Sequence, residues 1–189
     1  MLNCLKGLSM SENNLLISEP FLSDTNFLRS VILLCERNEE GAMGLVLNKP
    51  TDILVGDVVK ELSEFEDRIY IGGPVAQNTL HFIHRHPMRI EGDIPLMNDL
   101  YWGGNFKDLL YKLKHREIGT ADIRFFLGYS GWSDGQLDAE LEENAWIEGA
   151  ATPEVLFENA PEDLWRAILK NMGGKYREFA NYPIDPRMN

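Results

Sequence analysis

The sequence contains few cysteines, no long apolar run and comparatively few basic residues. Its 189 residues include only Cys4 and Cys35, too few for a disulfide framework and without the short spacing of metal ligands. The longest apolar run, Val31 to Cys35, is five residues long, whereas a membrane-spanning helix needs about 20. Residues 1–14 lack the apolar stretch of a secretory signal. These absences predict a cytoplasmic protein without a membrane span.

Acidic residues outnumber basic ones and are concentrated in one segment. Thirty acids against 18 bases give a formal net charge of -12, which argues against non-specific binding to nucleic-acid phosphates. Between Arg124 and Arg166 there is no Lys or Arg, and most of the net charge lies there. In this acidic segment Glu142 and Glu143 are expected near a helix C-terminus, where the helix dipole disfavours them. We therefore expect a basic group to face them, either the 107–116 helix or a partner.

Short apolar runs alternate irregularly with amphipathic repeats, which favours an α+β fold over a doubly wound sheet. Strands are expected at 14–18, 30–36, 42–47, 68–71, 79–84 and 123–127. Helices are expected at 53–62, at 105–116, after an S-x-x-Q capping box at 133–136, and at 164–172. Nothing in the sequence suggests a linker, so we expect a single domain over 1–189, with 1–13 and 181–189 peripheral or flexible.

One pentapeptide resembles a hydrolase nucleophile elbow but departs from its pattern. Gly128-Tyr129-Ser130-Gly131-Trp132 lies between a predicted strand and a predicted helix, the usual context of G-x-S-x-G. Here Trp132 replaces the last glycine, and all four histidines precede the serine, opposite to the order in that fold. We therefore expect a tight strand-to-helix turn with Trp132 packed on the sheet.

Three histidines are close together in the sequence. On a strand His84 and His86 would share one face, while His81 would point to the other. No cysteine or further clustered histidine is available to complete a zinc site. The sequence therefore predicts hydrogen-bonded strand histidines, with no metal and no other cofactor.

Signals for phosphate and nucleic-acid binding are weak. The glycine turns at 72–74 and 103–104 match neither the P-loop pattern nor G-x-G-x-x-G. The only appreciably basic segment is the predicted 105–116 helix, which carries Lys107, Lys112, Lys114 and Arg116. Because proteins that read a nucleic-acid groove carry a denser basic patch, direct nucleic-acid binding is disfavoured.

Two long blocks and several short motifs nevertheless form a recognisable pattern. The blocks are Gly41 to Pro50, and Gly128 to Trp132 continuing through Gln136-Leu137 to Asn144-Ala145-Trp146. The short motifs are Leu16 to Ser18, Pro20, Asp24, Phe27 to Val31, Cys35-Glu36, Gly72-Gly73-Pro74 and His84. Together they closely resemble the YqgE/AlgH family over about Leu15 to Trp165. The chain departs from the family pattern around Met97 to Gly104, in the 181–189 tail, and at His81 and His86.

This resemblance implies a fold and a cellular location, but it does not imply a particular reaction. It implies a single α+β domain whose bent, bifurcated, mainly antiparallel sheet forms a barrel-like shape flanked by helices, in a cytosolic bacterial protein. One branch of the family is named for a proposed role in transcriptional control of alginate synthesis. The family has no established activity and offers no catalytic residues to carry over.

Three functions remain open. The favoured one is a binding or regulatory module that meets a protein or small-molecule partner, away from membranes, through polar motif residues. The candidate binding residues are Asp24, Arg29, Glu36, Asn48, Lys49, Gly72, Gly73, His84, Ser130, Trp132, Gln136 and Asn144. At each of them a purely structural role, such as a helix cap or an Asp24–Arg29 ion pair, is the competing interpretation. The second function is a hydrolase using His84 or a carboxylate as base, and the third is direct DNA binding.

Overall fold

The computed structural model describes residues 14–85, 89–97, 99–150 and 152–183. Within these residues ten strands form one sheet. In chain order they are β1 (Leu15–Ser18), β2 (Val31–Asn38), β3 (Gly41–Val46), β4 (Pro50–Leu54), β5 (Arg68–Ile71), β6 (Val75–Arg85), β7 (Ile94–Met97), β8 (Leu100–Trp102), β9 (Ile123–Ser133) and β10 (Trp146–Gly149).

Six α-helices accompany the sheet in the described part of the chain. They are α1 (Val55–Val58), α2 (Phe106–Lys114), α3 (Gln136–Glu142), α4 (Pro153–Glu158), α5 (Pro161–Met172) and α6 (Gly174–Phe179), with 3-10 turns at Lys60–Leu62 and Thr120–Asp122. The longest, α5, buries Leu164, Trp165, Ile168 and Leu169, the spacing of one helical face. None of the helices in these residues has the length and apolar character needed to cross a membrane.

The sheet divides at β9. Its main path runs β10-β1-β2-β3-β9-β6-β8-β7. Phe126 and Leu127 of β9 pair in parallel with β5 and, on the opposite side, antiparallel with β6. Further along, β9 pairs antiparallel with β3, and β4 extends the branch from β5. The α+β class and the bifurcated, mainly antiparallel sheet are confirmed. The sheet is not closed into a barrel, because β10 and β7 remain its two ends.

Glycines allow the strands to approach closely where the sheet divides. The Gly72 carbonyl accepts hydrogen bonds from Val46 N (2.9 Å) and Ser130 Oγ (3.1 Å). A Cβ added to Gly72 would lie 2.3 Å from the Gly128 carbonyl oxygen, and one added to Gly73 would lie 2.2 Å from backbone atoms of β9. Side chains cannot occupy these distances, so the junction requires glycine at both positions.

Three apolar clusters form the core, and β9 contributes to all of them. Phe126 belongs to the largest cluster, which packs β1, β2 and β3 against α5. Phe125 belongs to a second cluster with α1, α2 and β6, and Trp132 to a third beside α3. Because β9 is covered on both faces, its sequence is almost continuously apolar.

Several local predictions were wrong for identifiable reasons. The 53–62 helix is interrupted: Leu54 ends β4, and the single turn α1 is followed by a 3-10 turn. Val55, Val59 and Leu62 are buried as one face predicts, but Val58 is 46% exposed. The expected strand-to-helix turn at 128–132 is instead the continuation of β9. Strands β7, β8 and β10 and helices α4 and α6 were missed because their patterns are too short to indicate an element.

The acidic segment is held by a cation other than the one expected. Glu142 and Glu143 are exposed, and neither takes part in an ion pair among the described residues. Arg37 of β2 instead pairs with Asp138 (2.6 Å) and Glu148 (3.1 Å). Arg85 of β6 also pairs with Glu158 (3.4 Å), so the described ion pairs connect the acidic segment to β2 and β6 and not to α2.

Candidate functional site

The two long sequence blocks meet side by side in the sheet. β3 pairs with the far end of β9, with Gly41 opposite Ser133 and Gly44 opposite Ser130. Beside this pairing lies an open groove of about 520 Å³, which we call the motif groove. It is lined by Glu36, Asn38, Glu40, Gly41, Ala42, Met43, Val75, Tyr129, Gly131 and Trp132. Residues far apart in the sequence thus form one surface, which includes two predicted candidates, Glu36 and Trp132.

Acidic side chains line one side of the motif groove. Glu36 and Glu40 are exposed, and neither forms an ion pair with a described residue. Asn38 orients this side, since its Nδ2 donates to Glu36 Oε1 and its Oδ1 accepts from Glu40 N, both at 2.8 Å. A register shift between Leu34 and Glu36 marks a bulge, a feature that re-aims the following side chains. Arg37, the one basic residue of this hairpin, pairs with Asp138 and Glu148, so it does not neutralise Glu36 or Glu40.

Apolar and aromatic side chains also line the motif groove. Met43 and Tyr129 are half-buried against the main core, and Val75 is 38% exposed. The ring of His81 meets the Tyr129 ring edge-on at 5.9 Å between centroids. A groove lined by both acidic and apolar side chains suits a ligand that carries both positive charge and hydrocarbon.

Trp132 is positioned by a carboxylate that the sequence did not single out. Oε2 of Glu140, on α3, accepts hydrogen bonds from Trp132 Nε1 (2.8 Å) and Trp146 Nε1 (2.6 Å). The two indole rings meet edge-on at 5.9 Å, and the ring of Phe27 packs against both. Both tryptophans are at least 94% buried, so their N–H groups need this acceptor.

Gln136 connects this cluster to the end of β9. Its Nε2 donates to Glu140 Oε1 (2.9 Å), and its Oε1 accepts from Ser133 N (3.1 Å) and Ser133 Oγ (3.2 Å). The predicted capping box is only partly right, because α3 begins at Gln136 with Gly135 as its N-cap in a left-handed conformation (φ 67°). Gln136 therefore supports Trp132 through Glu140 and does not line the groove.

Asn48 and Lys49 fasten the chain segment that precedes β2. Asn48 Oδ1 accepts from Val31 N, and its Nδ2 donates to the Arg29 carbonyl, both at 2.9 Å. Lys49 Nζ donates to the Leu28 carbonyl at 2.9 Å, and partial burial lowers the pKa of this ammonium group. All three bonds involve protein backbone, which is how a structural clasp behaves.

Asp24 and Arg29 do not form the expected ion pair in the described structure. Asp24 closes a turn, with its Oδ1 accepting from Asn26 N at 2.8 Å. Arg29 instead donates to the Tyr182 carbonyl (2.5 Å), and its guanidinium carbon lies 4.8 Å from the centroid of the Trp165 ring. The spacing of five residues did not reveal this, because the partners of Arg29 come from the C-terminal part of the chain.

His84 is enclosed in the protein. Its side chain is 0% exposed, and neither ring nitrogen has a hydrogen-bond partner in the described structure. Nε2 lies 3.5 Å from Asp93 Oδ2, and Asp93 is itself held by Arg89 Nε and Ile90 N. Burial lowers the pKa of His84 to about 4, although the nearby Asp93 opposes the shift. His84 is therefore a neutral core histidine that a substrate cannot reach in this conformation.

His81 lies at a second, apolar groove of about 430 Å³, which shares no lining residue with the motif groove. This groove is lined by Leu80, His81, Phe82, Trp102, Gly103, Gly104 and Phe106. His81 Nε2 is 3.1 Å from Thr79 Oγ1, and burial lowers the pKa of its ring. His86, the third member of the histidine cluster, lies outside the described residues.

The remaining candidates hold the backbone. Gly72, Gly73 and Ser130 form the division of the sheet described above. Asn144 follows α3 in a left-handed conformation (φ 59°), and its N donates to the Leu141 carbonyl at 3.0 Å, the pattern of a helix end. The candidates thus lie in separate parts of the structure. Glu36 and Trp132 line the motif groove, whereas the others bind backbone, form the sheet junction or, for His84, lie enclosed in the interior.

Sequence reasoning missed several groove residues. Met43 and Tyr129 lie inside the two matched blocks but are apolar or aromatic, so they gave no chemical signal. Glu40 lies between the strands expected at 30–36 and 42–47, where an exposed acidic residue is common and gives no specific signal. A sequence-level signal does exist for Glu140, because it lies four residues after Gln136 on the same helical face.

Comparisons with known proteins agree with this fold. Residues 15–177 match a family model described as AlgH-like. A UPF0301 protein of Cytophaga hutchinsonii is 44% identical over 181 residues, covering 95% of this chain and 100% of the relative. A UPF0301 protein of Chlorobium limicola is 41% identical over 175 residues, covering 93% of this chain and 94% of the relative.

Two solved structures are also similar. The solution structure of the AlgH protein from Pseudomonas aeruginosa has a TM-score of 0.71 and 28% identity, covering 97% of this chain and 98% of that one. A crystal structure of a Corynebacterium diphtheriae protein has a TM-score of 0.76, covering 89% of this chain and 90% of that one. At 23% identity the latter similarity concerns the fold alone.

Proposed function

The chain belongs to the AlgH-like family, and from the geometry of the motif groove we propose that it is a cytoplasmic binding module for a basic, partly apolar segment of a protein partner. The single observation that carries this proposal is that Glu36 and Glu40, which form no ion pair with a described residue, line the same groove as the apolar Met43 and Val75 and the aromatic Tyr129. A lysine or arginine side chain matches such a groove, because its aliphatic stem packs on apolar surface while its charge meets a carboxylate.

The groove is supported by groups with fixed positions. Asn38 holds the acidic side, and the Glu140 carboxylate fixes Trp132 through the indole N–H. Preorganised side chains reduce the conformational entropy lost on binding. A formal net charge of -12 further favours encounter with a basic partner through long-range attraction.

Binding a basic segment of a protein partner supports a regulatory role that requires no direct contact with DNA. The basic residues of α2 are few, and Lys112 is already paired with Asp108 at 2.5 Å. The transcriptional role proposed for one branch of the family would then act through a protein that carries the basic segment. The hydrolase alternative has less support, because His84 is enclosed and its nearest carboxylate, Asp93, is held by Arg89.

Peptide titration with matched charge variants tests the proposal. The probes are two synthetic peptides of equal length, one alternating Lys or Arg with Leu and Tyr, and one in which Glu replaces every Lys and Arg. Glu36→Lys/Glu40→Lys alters the groove, and Glu142→Lys/Glu143→Lys makes the same charge change on an exposed helix end. We expect the basic peptide to bind the wild type, and the groove variant to bind it roughly tenfold or more weakly, as loss of close charge pairs implies.

The matched variant decides whether the groove or the bulk charge is responsible. We expect the Glu142/Glu143 variant to keep its affinity within about threefold at physiological salt, where charges beyond the Debye length are screened. Equal losses in the two variants would mean that only net charge attracts the peptide. Equal affinity for the basic and the acidic peptide would also contradict the proposal.

A further inference from the structure

Arg124 is a buried cation in an apolar strand. It lies near the start of β9, opposite Ile83 of β6, and is only 9% exposed. Its guanidinium carbon lies 4.7 Å from the centroid of the Tyr70 ring and 5.1 Å from that of the Phe157 ring. Such stacking suits a guanidinium but does not neutralise its charge.

The hydrogen bonds of Arg124 leave part of its donor set free. Nη1 donates to the Leu47 carbonyl at 3.2 Å, which is the one hydrogen bond of this side chain to a described residue. No described carboxylate lies within 4 Å of it. Nε and Nη2 are not among the fully enclosed polar atoms that lack a partner, so they retain contact with open space.

Arg124 lines a small, partly enclosed cavity of about 170 Å³. It is lined by Asp67, Arg68, Tyr70, Thr120, Ala121, Ile123, Arg124, Phe125 and Phe157. We call it the Arg124 cavity, and it shares no lining residue with the motif groove. Since a liquid water molecule occupies about 30 Å³, the cavity has room for roughly five waters or one small organic acid.

No described carboxylate pairs with Arg124 within 4 Å, although Asp67 also lines the Arg124 cavity. Arg68 pairs with Asp52 (3.4 Å), and Arg85 pairs with Asp122 (3.1 Å) and Glu158 (3.4 Å). Burial holds the pKa of Arg124 below its ordinary value, and the neighbouring Arg85 charge acts in the same direction. An enclosed, unpaired charge is costly, and an anion bound beside it would offset that cost.

We propose that the Arg124 cavity binds a small molecule bearing one oxyanion group, a carboxylate or a phosphate, with the free nitrogens of Arg124 as its donors. Nε and Nη2 lie on one edge of the guanidinium, the arrangement that holds two oxygens of a carboxylate or phosphate together. The Asp67 carboxylate in the cavity wall would repel further negative charge, so the ligand has a low net charge and few atoms.

Nuclear magnetic resonance of the arginine Nε–Hε groups tests the proposal on the full chain. Sodium acetate and sodium phosphate are titrated separately at constant ionic strength, with sodium chloride as the balancing salt. We expect a saturable shift of the Arg124 resonance with at least one oxyanion, and no comparable shift of the Arg68 resonance. Acetate and phosphate arms distinguish the two ligand chemistries, and saturation with either supports the site.

Two variants separate Arg124 from general positive charge. Arg124→Leu removes the donors and leaves an apolar side chain for Tyr70 and Phe157 to pack against, while Arg68→Gln removes a rim charge. Because Arg124→Leu removes the observed Nε–Hε group, binding to both variants is followed through the backbone amide resonances of Tyr70 and Thr120, which line the cavity. Arg124→Leu should weaken binding by roughly tenfold or more, the usual loss for charge-assisted hydrogen bonds. Arg68→Gln should stay within about threefold, as a screened surface charge does.

Two results would overturn the proposed oxyanion site at Arg124. A wild-type titration in which neither oxyanion shifts Arg124 beyond chloride would overturn it, even if Arg124→Leu fails to fold. Equal weakening by Arg68→Gln and Arg124→Leu would overturn it too, because the effect would then be long-range attraction.

Discussion

The carboxylate of Glu140 offers the sharpest test of how the motif groove is supported. One oxygen of this side chain accepts from the indole nitrogens of both Trp132 and Trp146. In Glu140→Ala both N–H groups lose their acceptor while the rings remain at least 94% buried. We therefore expect this substitution to destabilise the protein more than an ordinary surface change on α3.

The magnitude follows from the two hydrogen bonds. Bonds to a charged acceptor are worth about 1.5–3 kcal/mol each, and the lower value applies because Glu140 is partly exposed. The sum is about 3 kcal/mol for Glu140→Ala. For a chain of this size that loss corresponds to a fall of about 6–12 °C in the midpoint of thermal unfolding. Glu140→Gln keeps an oxygen acceptor and should recover roughly half of the loss.

Guanidinium unfolding followed by far-ultraviolet circular dichroism measures these free energies without relying on tryptophan emission, which the substitutions would alter. Glu142→Ala is the matched control, because it removes an exposed carboxylate from the same helix. We expect the control to stay within about 0.5 kcal/mol of the wild type. If Glu140→Ala were no more destabilising than Glu142→Ala, the carboxylate would contribute no net stability and the reasoning would fail.

Two further predictions concern the enclosed histidine and the sheet junction. The pKa of His84 is about 4 in the folded protein and about 6.5 in the unfolded chain. Between these pH values the unfolded chain binds more protons than the folded protein, so protonation favours unfolding. Up to about 3 kcal/mol of the free energy of unfolding should therefore be lost as the pH falls from 6.5 to 4. Denaturant unfolding at pH 7 and pH 4.5 measures this loss of stability. His84→Phe should reduce the loss, whereas His115→Gln, at an exposed position, should leave it unchanged. The same loss in the wild type and in both variants would refute the prediction. Gly72→Ala should destabilise by more than about 2 kcal/mol, because its Cβ would lie 2.3 Å from the Gly128 carbonyl oxygen. In Gly119→Ala the new atom meets only the Asp122 carboxylate at 3.2 Å, so an equal loss in the two variants would contradict the steric argument.

The sequence predicted the fold class well and the candidate site less well. The resemblance to the YqgE/AlgH family is confirmed by the matching family model and the similar relatives. The strands expected at 30–36 and 42–47 and the helix expected at 105–116 are confirmed as β2, β3 and α2, since their patterns depend on local residues. The continuation of β9 through 128–132 was missed because its partner, β3, lies some 90 positions away in the numbering.

The candidate residues show the same limit. The spacing that favoured an Asp24–Arg29 pair is local, whereas the partner of Arg29 is the distant Tyr182 carbonyl. Likewise the S-x-x-Q pattern predicted a cap at Ser133, but β9 pairing keeps Ser133 in the strand and the helix starts at Gln136. Binding roles for the twelve candidate residues as a set stay predictions.

By itself the sequence determined the properties that follow from composition and near neighbours. These are the net charge of -12, its concentration between Arg124 and Arg166, and the amphipathic faces of α2 and α5. Only the tertiary structure decided which charges remain unpaired. Arg37 is neutralised across the sheet, while Glu36, Glu40 and Arg124 keep charges that no described side chain pairs. The reason is physical: an ion pair depends on distances of a few ångströms, which strand pairing sets between residues far apart in the chain.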